Sequence, residues 1–145
     1  MTKTYNDAVK LLTSTAKFHI SLGLDRISQI LDILGNPQDK LNCIHVAGTN
    51  GKGSVCAILS TILTTVGKKT GLYASPHLFK YTERIQINRT AIPDEDFAKY
   101  VFEISNLADK NNIALTEFEI LTAVMFKYFA DNEVDVVVLE TGLGG

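Results

Sequence analysis

The sequence has little net charge and no long apolar run. Its 14 Lys+Arg against 16 Asp+Glu give a formal net charge of −2, and it has no block of basic residues. Both features argue against nucleic acid or an anionic membrane as the main partner. The apolar run at residues 136–139 falls far short of the about 18 residues that a membrane span needs. The N-terminal residues contain no apolar core of a secretory signal. We therefore expect a cytoplasmic protein.

Cysteine is scarce, and linkers and repeats are lacking. Cys43 and Cys56 show no CxxC or Cys/His spacing, so we predict small buried apolar side chains, neither zinc ligands nor a disulfide framework. No internal repeat, low-complexity tract or Pro/Gly/Ser linker divides the 145 residues. A chain of this length with 46% apolar residues can bury one core, and we expect one compact unit.

Strand-like and helix-like segments alternate along the chain. We predict helices over residues 5–14, 27–34, 54–66, 93–109 and 116–129 from their apolar spacing and their caps. Strands are predicted over residues 43–46, 70–74 and 135–140, with a small antiparallel hairpin over 85–92. The segment 54–66 is apolar on most faces, which predicts a buried helix. The alternation indicates a three-layer α/β fold with a mostly parallel sheet and helices on both faces. With the glycine-rich loop described next, we expect this fold to be P-loop NTPase-like.

A glycine-rich loop stands between the first predicted strand and a helix. Glycines let backbone N–H groups point at an anion, the start of a helix adds partial positive charge, and a lysine adds a full one. The general P-loop pattern would place glycine at position 46 and a hydroxyl directly after the lysine, where this chain has Val46 and Gly53. The alternative is a glycine-rich turn with a surface lysine. The candidate phosphate-binding residues are Gly48, Thr49, Asn50, Gly51, Lys52, Gly53 and Ser54.

Two oxygen-bearing residues follow the ends of predicted strands. Glu140 ends the apolar run 134–139, and Ser75 follows the strand at 70–74. Ligands of open α/β sheets bind at the carboxyl ends of the strands, where an acid beside a phosphate loop can hold Mg²⁺. The alternatives are a solvated acid for Glu140 and, for Ser75, a turn serine that bonds the local backbone.

Five strings of residues together resemble folylpolyglutamate synthase/dihydrofolate synthase, a family of the Mur ligase superfamily. They are residues 44–54, 71–78, 81–85, 116–119 and 139–145, and the resemblance extends from about Leu22 to the last residue. In this family a glycine follows the loop lysine, whereas the Mur relatives usually carry a hydroxyl residue there. Val46 and Gly53 therefore fit the family's own form of the loop.

The resemblance implies an ATP-dependent ligase that joins L-glutamate to dihydropteroate, or to the γ-carboxylate of a folate, through an acyl phosphate. It implies that the glycine-rich loop binds ATP with Lys52 as the catalytic cation, and that Ser75 and Glu140 ligate Mg²⁺. A full-length member is expected to be monomeric.

The same resemblance places the pteroate or folate substrate at Thr116, Glu117, Phe118 and Glu119, with the loop Leu22–Arg26 as a second candidate. A structural interpretation stands beside this one. Thr116 and Glu119 have the spacing of a reciprocal helix cap, and Phe118 fits the apolar stripe of the helix that follows.

The chain departs from the family at its C-terminus. A further metal-ligating histidine, a modified lysine and the domain that binds glutamate are not present, so we expect the front part of a longer ligase that is inactive alone. One rival hypothesis is a truncated, non-catalytic nucleotide-binding module whose exposed sheet edge pairs with another chain. Another is a Mur-type peptide ligase, against which Gly53 and residues 81–85 argue.

Overall fold

The computed structural model describes residues 2–16 and 22–142, and its elements match the predicted ones closely. The strands are β1 (Cys43–Val46), β2 (Thr70–Tyr73), β3 (Ile85–Ile87), β4 (Thr90–Ala91) and β5 (Val136–Glu140). The helices are α1 (Tyr5–Ala16), α2 (Asp25–Ile33), α3 (Lys52–Thr65), α4 (Asp94–Lys110) and α5 (Glu117–Asp131). Helix α3 starts before the predicted residue 54, so Lys52 and Gly53 lie in its first turn. Two short 3₁₀ helices, Pro37–Lys40 and Tyr81–Arg84, were not predicted.

Contacts within the chain divide it into two compact units. The helical unit is Met1–Lys40 with Pro93–Tyr128, and the sheet unit is Leu41–Ile92 with Phe129–Gly145. Each unit is built from two separate stretches of sequence, so no linker or change of composition marks the division.

The helical unit has its own apolar core. Helix α1 packs on α4, where the rings of Tyr5 and Phe97 lie 5.6 Å apart, and α2 also contacts α4. Fully buried side chains come from each α-helix of this unit and include Ala8, Leu12, Ile30, Phe97, Val101, Ile104, Leu121 and Val124. Burial of this apolar area is the main source of the unit's stability.

The sheet unit contains a five-stranded sheet in the order β1-β5-β2-β3-β4. Strands β1, β5 and β2 are parallel, and β3 and β4 are antiparallel, so the predicted mostly parallel α/β fold with a hairpin is confirmed. The hairpin turns through Asn88 and Arg89, both with positive φ, as a tight two-residue turn requires. Its pairing with β2 extends the same sheet, a connection that was not predicted.

Side chains from helices cover both faces of the sheet. On one face Leu72 and Val138 cluster with Cys56 of α3. Because successive strand residues point to opposite faces, Gly71 faces the other side, where the ring of Phe129 lies. A Cβ at position 71 would stand 3.0 Å from that ring, so a larger residue there would require the ring of Phe129 to shift.

Two burial predictions were wrong. Helix α3 is not a buried helix: Cys56 and Ser60 are buried, but most of its other residues are exposed or half-buried. Cys43 is exposed, and within residues 2–16 and 22–142 its strand β1 has a strand neighbour on one side only. Cys56 is buried as predicted, and neither cysteine forms a disulfide. None of the helices in the described part of the chain is long and apolar enough to cross a membrane.

Candidate functional site

The loop between β1 and α3 has the backbone of an anion-binding turn. Gly48 has φ +153° and Gly51 has φ +76°, conformations that favour glycine. Gly51 stands directly before the first residue of α3, and no side chain caps that end of the helix. The first N–H groups of a helix have no partner within it, and Thr49, Asn50 and Ser54 around them are exposed. The loop thus offers accessible donors and the positive end of a helix dipole.

Lys52 joins this loop to the end of β5. Its Nζ donates a hydrogen bond of 3.3 Å to the carbonyl oxygen of Gly142, and its side chain is half-buried. The N–H of Thr141 also donates to the carbonyl of Val46 at 3.0 Å. The predicted convergence of the glycine-rich loop and the end of the last strand is therefore present, although residues 143–145 of that motif lie outside the described residues.

Glu140 and Ser75 meet at the same edge of the sheet. The backbone N–H of Ser75 donates to Oε2 of Glu140 at 3.2 Å. A Cβ built on Gly53 would stand 3.8 Å from Oε1 of the same carboxylate, so the start of α3 also lies beside it. The pKa of the Cys56 thiol is raised, first by burial and then by the negative charge of Glu140. A negative charge thus adjoins the glycine-rich loop.

This donor set fits Mg²⁺ held together with a nucleotide. Within residues 2–16 and 22–142, no three His, Cys, Asp or Glu side chains are grouped to hold a metal by themselves. Mg²⁺ needs no such group, because it is commonly bound by one or two protein oxygens together with phosphates and water. One carboxylate and a neighbouring serine beside a phosphate loop are of that kind.

In the helical unit, the segment before α5 forms the predicted helix cap. Oγ1 of Thr116 accepts from the N–H of Glu119 at 3.2 Å, and Oε2 of Glu119 accepts from the N–H of Thr116 at 2.9 Å. Phe118 is 52% exposed and the neighbouring Glu117 half-buried, so the interpretation of Phe118 as a core residue was wrong. An aromatic side chain next to a rigid cap can instead stack on a flat ligand.

The structure joins this segment to the second candidate loop. Arg26 donates to both carboxylate oxygens of Glu119, with distances of 3.2 Å from Nε and 2.7 Å from Nη2. The bond to Glu119 raises the pKa of Arg26. Leu22 and Leu24 just before Arg26 are 92% and 75% exposed. Sequence analysis missed this ion pair, because nothing local links residues so far apart in the chain.

The loop after β2 is held by Glu83, a residue whose role sequence analysis did not predict. The carboxylate of Glu83 accepts from the N–H groups of Leu78, Phe79 and Lys80 at 2.9, 2.9 and 2.8 Å. These bonds lower the pKa of Glu83. The usual Ser/Thr signature of a helix cap is missing here, since Lys80 precedes the short helix, so no pattern pointed to the role of Glu83.

Comparison with known proteins agrees with the motifs. No protein-family model matches the chain. It is 44% identical over 126 residues to a dihydrofolate synthetase of Saccharomyces cerevisiae, covering 87% of this chain and 30% of that protein. It is 40% identical over 146 residues to a dihydrofolate synthase/folylpolyglutamate synthase of Bacillus subtilis, covering 97% of this chain and 34% of that protein.

A solved structure agrees with these relatives. Mycobacterium tuberculosis folylpolyglutamate synthase complexed with ADP matches with a TM-score of 0.88 and 37% identity, over 97% of this chain and 32% of that one. The chain thus spans about a third of the length of the proteins it matches. The predicted resemblance is confirmed: over most of its length, this chain is homologous to the folylpolyglutamate synthase/dihydrofolate synthase family.

Proposed function

We propose that this chain is the N-terminal ATP-binding part of a ligase that adds L-glutamate to dihydropteroate or to a folate. The observation that carries the proposal is the convergence of the uncapped start of α3, Lys52 and Glu140 at one edge of the sheet. The mycobacterial relative whose structure holds ADP supports a nucleotide as the ligand.

The phosphate loop would act by position and charge. The N–H groups of residues 48–54 and the ammonium group of Lys52 would bind the triphosphate, while Glu140 and Ser75 would hold Mg²⁺ against it. When bound, Mg²⁺ neutralises charge on the β- and γ-phosphates. Such groups are arranged before the reaction, so no reorganisation is needed as charge develops.

The proposed reaction proceeds in two steps. The substrate carboxylate attacks the γ-phosphate of ATP, which forms an acyl phosphate and releases ADP. The amine of L-glutamate then attacks the acyl carbon, forms the amide and releases phosphate and a proton. Fixing both partners in place lowers the entropic barrier of each step.

The pteroate or folate would lie against Thr116, Glu117, Phe118 and Glu119 and the loop Leu22–Arg26. Phe118, Leu22 and Leu24 present exposed apolar surface, which suits a flat ring. The ion pair between Arg26 and Glu119 ties the two segments together, so we propose a positioning role for both charges.

We further propose that the chain alone binds Mg·ATP without completing ligation. It spans about a third of its relatives, and an acyl phosphate must be shielded from water by groups converging on it. In this respect it behaves as a non-catalytic nucleotide-binding module.

Calorimetric titration with Mg·ATP tests the proposal. We expect magnesium-dependent binding by the chain and a loss of at least about tenfold in affinity for Lys52→Ala, because a hydrogen bond to a charged group is removed. Lys68→Ala, which removes an exposed lysine just beyond α3, is the matched control and should bind normally. Absence of binding would contradict the nucleotide site, and ADP formation that requires both glutamate and dihydropteroate would contradict the inactivity of the isolated chain.

A further inference from the structure

The tip of the loop between β2 and β3, which comprises residues 74–84, is held by polar bonds. Leu78 and Phe79 at this tip are 84% and 88% exposed, so their side chains do not anchor it. Their N–H groups and that of Lys80 donate to the carboxylate of Glu83 at 2.8 to 2.9 Å. Hydrogen bonds to an ionised acceptor are about twice as strong as those between neutral groups. One negative charge therefore fixes the tip of the β2–β3 loop.

Arg84, at the end of the same loop, is bonded to it on both sides of Ser75. The carbonyl oxygen of Arg84 accepts from the N–H of Ala74 at 3.0 Å, and its Nε donates to Nδ1 of His77 at 2.8 Å. The ring of His77 also packs on the ring of Tyr81, which is buried, with the ring centroids 4.3 Å apart. The residue before Ser75 and the second residue after it are thus both attached to Arg84.

Ser75 lies between these two attachments and meets the end of β5. Its N–H donates to Oε2 of Glu140 at 3.2 Å, and a displacement of about 1 Å would break that bond. No hydrogen bond or ion pair within residues 2–16 and 22–142 joins Glu83 or Arg84 directly to Ser75 or Glu140. Both residues therefore act on this contact only through the conformation of the β2–β3 loop.

We propose that Glu83 and Arg84 are positioning residues that hold Ser75 against Glu140. The consequence for magnesium rests on the proposed function, in which Ser75 and Glu140 hold the ion. Mg²⁺ requires nearly ideal octahedral geometry with ligands at about 2.0–2.1 Å, so a small shift of Ser75 weakens the site. Residues outside a donor set commonly determine its geometry in this way.

Amide hydrogen exchange of the chain without nucleotide, followed by nuclear magnetic resonance, tests the positioning itself. In Glu83→Gln we expect the amides of Ser75 and of residues 78–80 to exchange at least about tenfold faster, because bonds to a charged group are lost. Arg84→Lys keeps the charge but loses the planar donor to the histidine ring. It should accelerate exchange at Ser75 while residues 78–80 keep their rates.

Two results of the exchange experiment would overturn the proposal. One is an unchanged exchange rate of Ser75 in both variants. The other is equal acceleration of Ser75 and of Val137, whose N–H is bonded to the carbonyl of Asn42 at 2.8 Å, because that would indicate a general loss of stability. Glu133→Gln is the matched control, since it removes the same charge from an exposed residue at the opposite end of β5 from Glu140. It should leave the exchange of Ser75 unchanged.

Calorimetric titration separates this proposal from the proposed function. Glu83→Gln and Arg84→Lys should each weaken Mg·ATP binding by at least about tenfold, as expected when a supporting residue of a metal site is altered. Both should bind ATP in the presence of a metal chelator as the unaltered chain does, and Glu133→Gln should match the unaltered chain in both titrations. Equal losses with and without magnesium would contradict a role in positioning the metal ligands. Absence of Mg·ATP binding by the unaltered chain would contradict the proposed function, while the exchange rate of Ser75 would still decide whether Glu83 and Arg84 position it.

Discussion

The glycine-rich loop before α3, proposed above as the phosphate loop, and the segment before α5 obtain their geometry in different ways. In the glycine-rich loop the geometry is a property of the backbone: Gly48 and Gly51 adopt positive φ, and no side chain of the N-cap residue binds the first N–H groups of α3. In the segment before α5 it depends on side chains, because Glu119 caps the helix and also binds Arg26 from a distant loop. A backbone site can be recognised from a short string of residues, whereas a side-chain site depends on contacts that form only on folding.

Among substitutions at the two candidate sites, Glu119→Ala should produce the largest loss of stability. It removes the helix-cap bond to the N–H of Thr116 and leaves Arg26 without the carboxylate it binds. We expect the free energy of unfolding to fall by about 1–2 kcal/mol, the usual cost of losing a helix cap, as measured by urea denaturation. Glu119→Gln keeps an oxygen for the cap and loses the charge, so it should lower the free energy of unfolding by less than Glu119→Ala does. Equal losses for both variants would show that the charge, not the cap, dominates.

Gly51→Ala should lower the free energy of unfolding by a smaller amount, about 1 kcal/mol, since a residue with a Cβ must then adopt φ +76° before α3. Gly53→Ala is the matched control in the same loop. Its Cβ would meet Oε1 of Glu140 at 3.8 Å, an ordinary contact, with no positive φ. We expect its unfolding free energy to stay within about 0.5 kcal/mol of the unaltered chain, because alanine favours a helix. If Gly53→Ala were the more destabilising of the two, backbone conformation would not be what shapes this loop.

Phe118→Ala should have the smallest effect on stability, within about 0.5 kcal/mol, because the side chain is 52% exposed. Leu121→Ala, one turn further along α5 and fully buried, should cost about 2–5 kcal/mol in the same denaturation experiment. We expect Phe118→Ala to weaken binding of dihydropteroate, measured by calorimetry. A large loss of stability for Phe118→Ala would instead indicate a structural role.

The strands and helices were predictable because their signals are local. Strand β1 begins and ends at the predicted residues, and the Thr116–Glu119 cap forms as its spacing indicated. The ion pair between Arg26 and Glu119 was not predictable, since it joins residues far apart in sequence. The predictions that α3 and Cys43 are buried were wrong, because apolar composition does not reveal that β1 lies at a sheet edge.

The backbone amides of the phosphate loop give the most direct test of the central claim, that the N–H groups of residues 48–54 and Lys52 bind a polyphosphate. Amide chemical shifts in nuclear magnetic resonance spectra should be followed during titration with Mg·ATP. We predict that the largest changes occur at residues 48–54 and at Glu140, and that Lys52→Ala reduces them strongly. Changes confined to other parts of the chain, or none at saturating Mg·ATP, would contradict the claim.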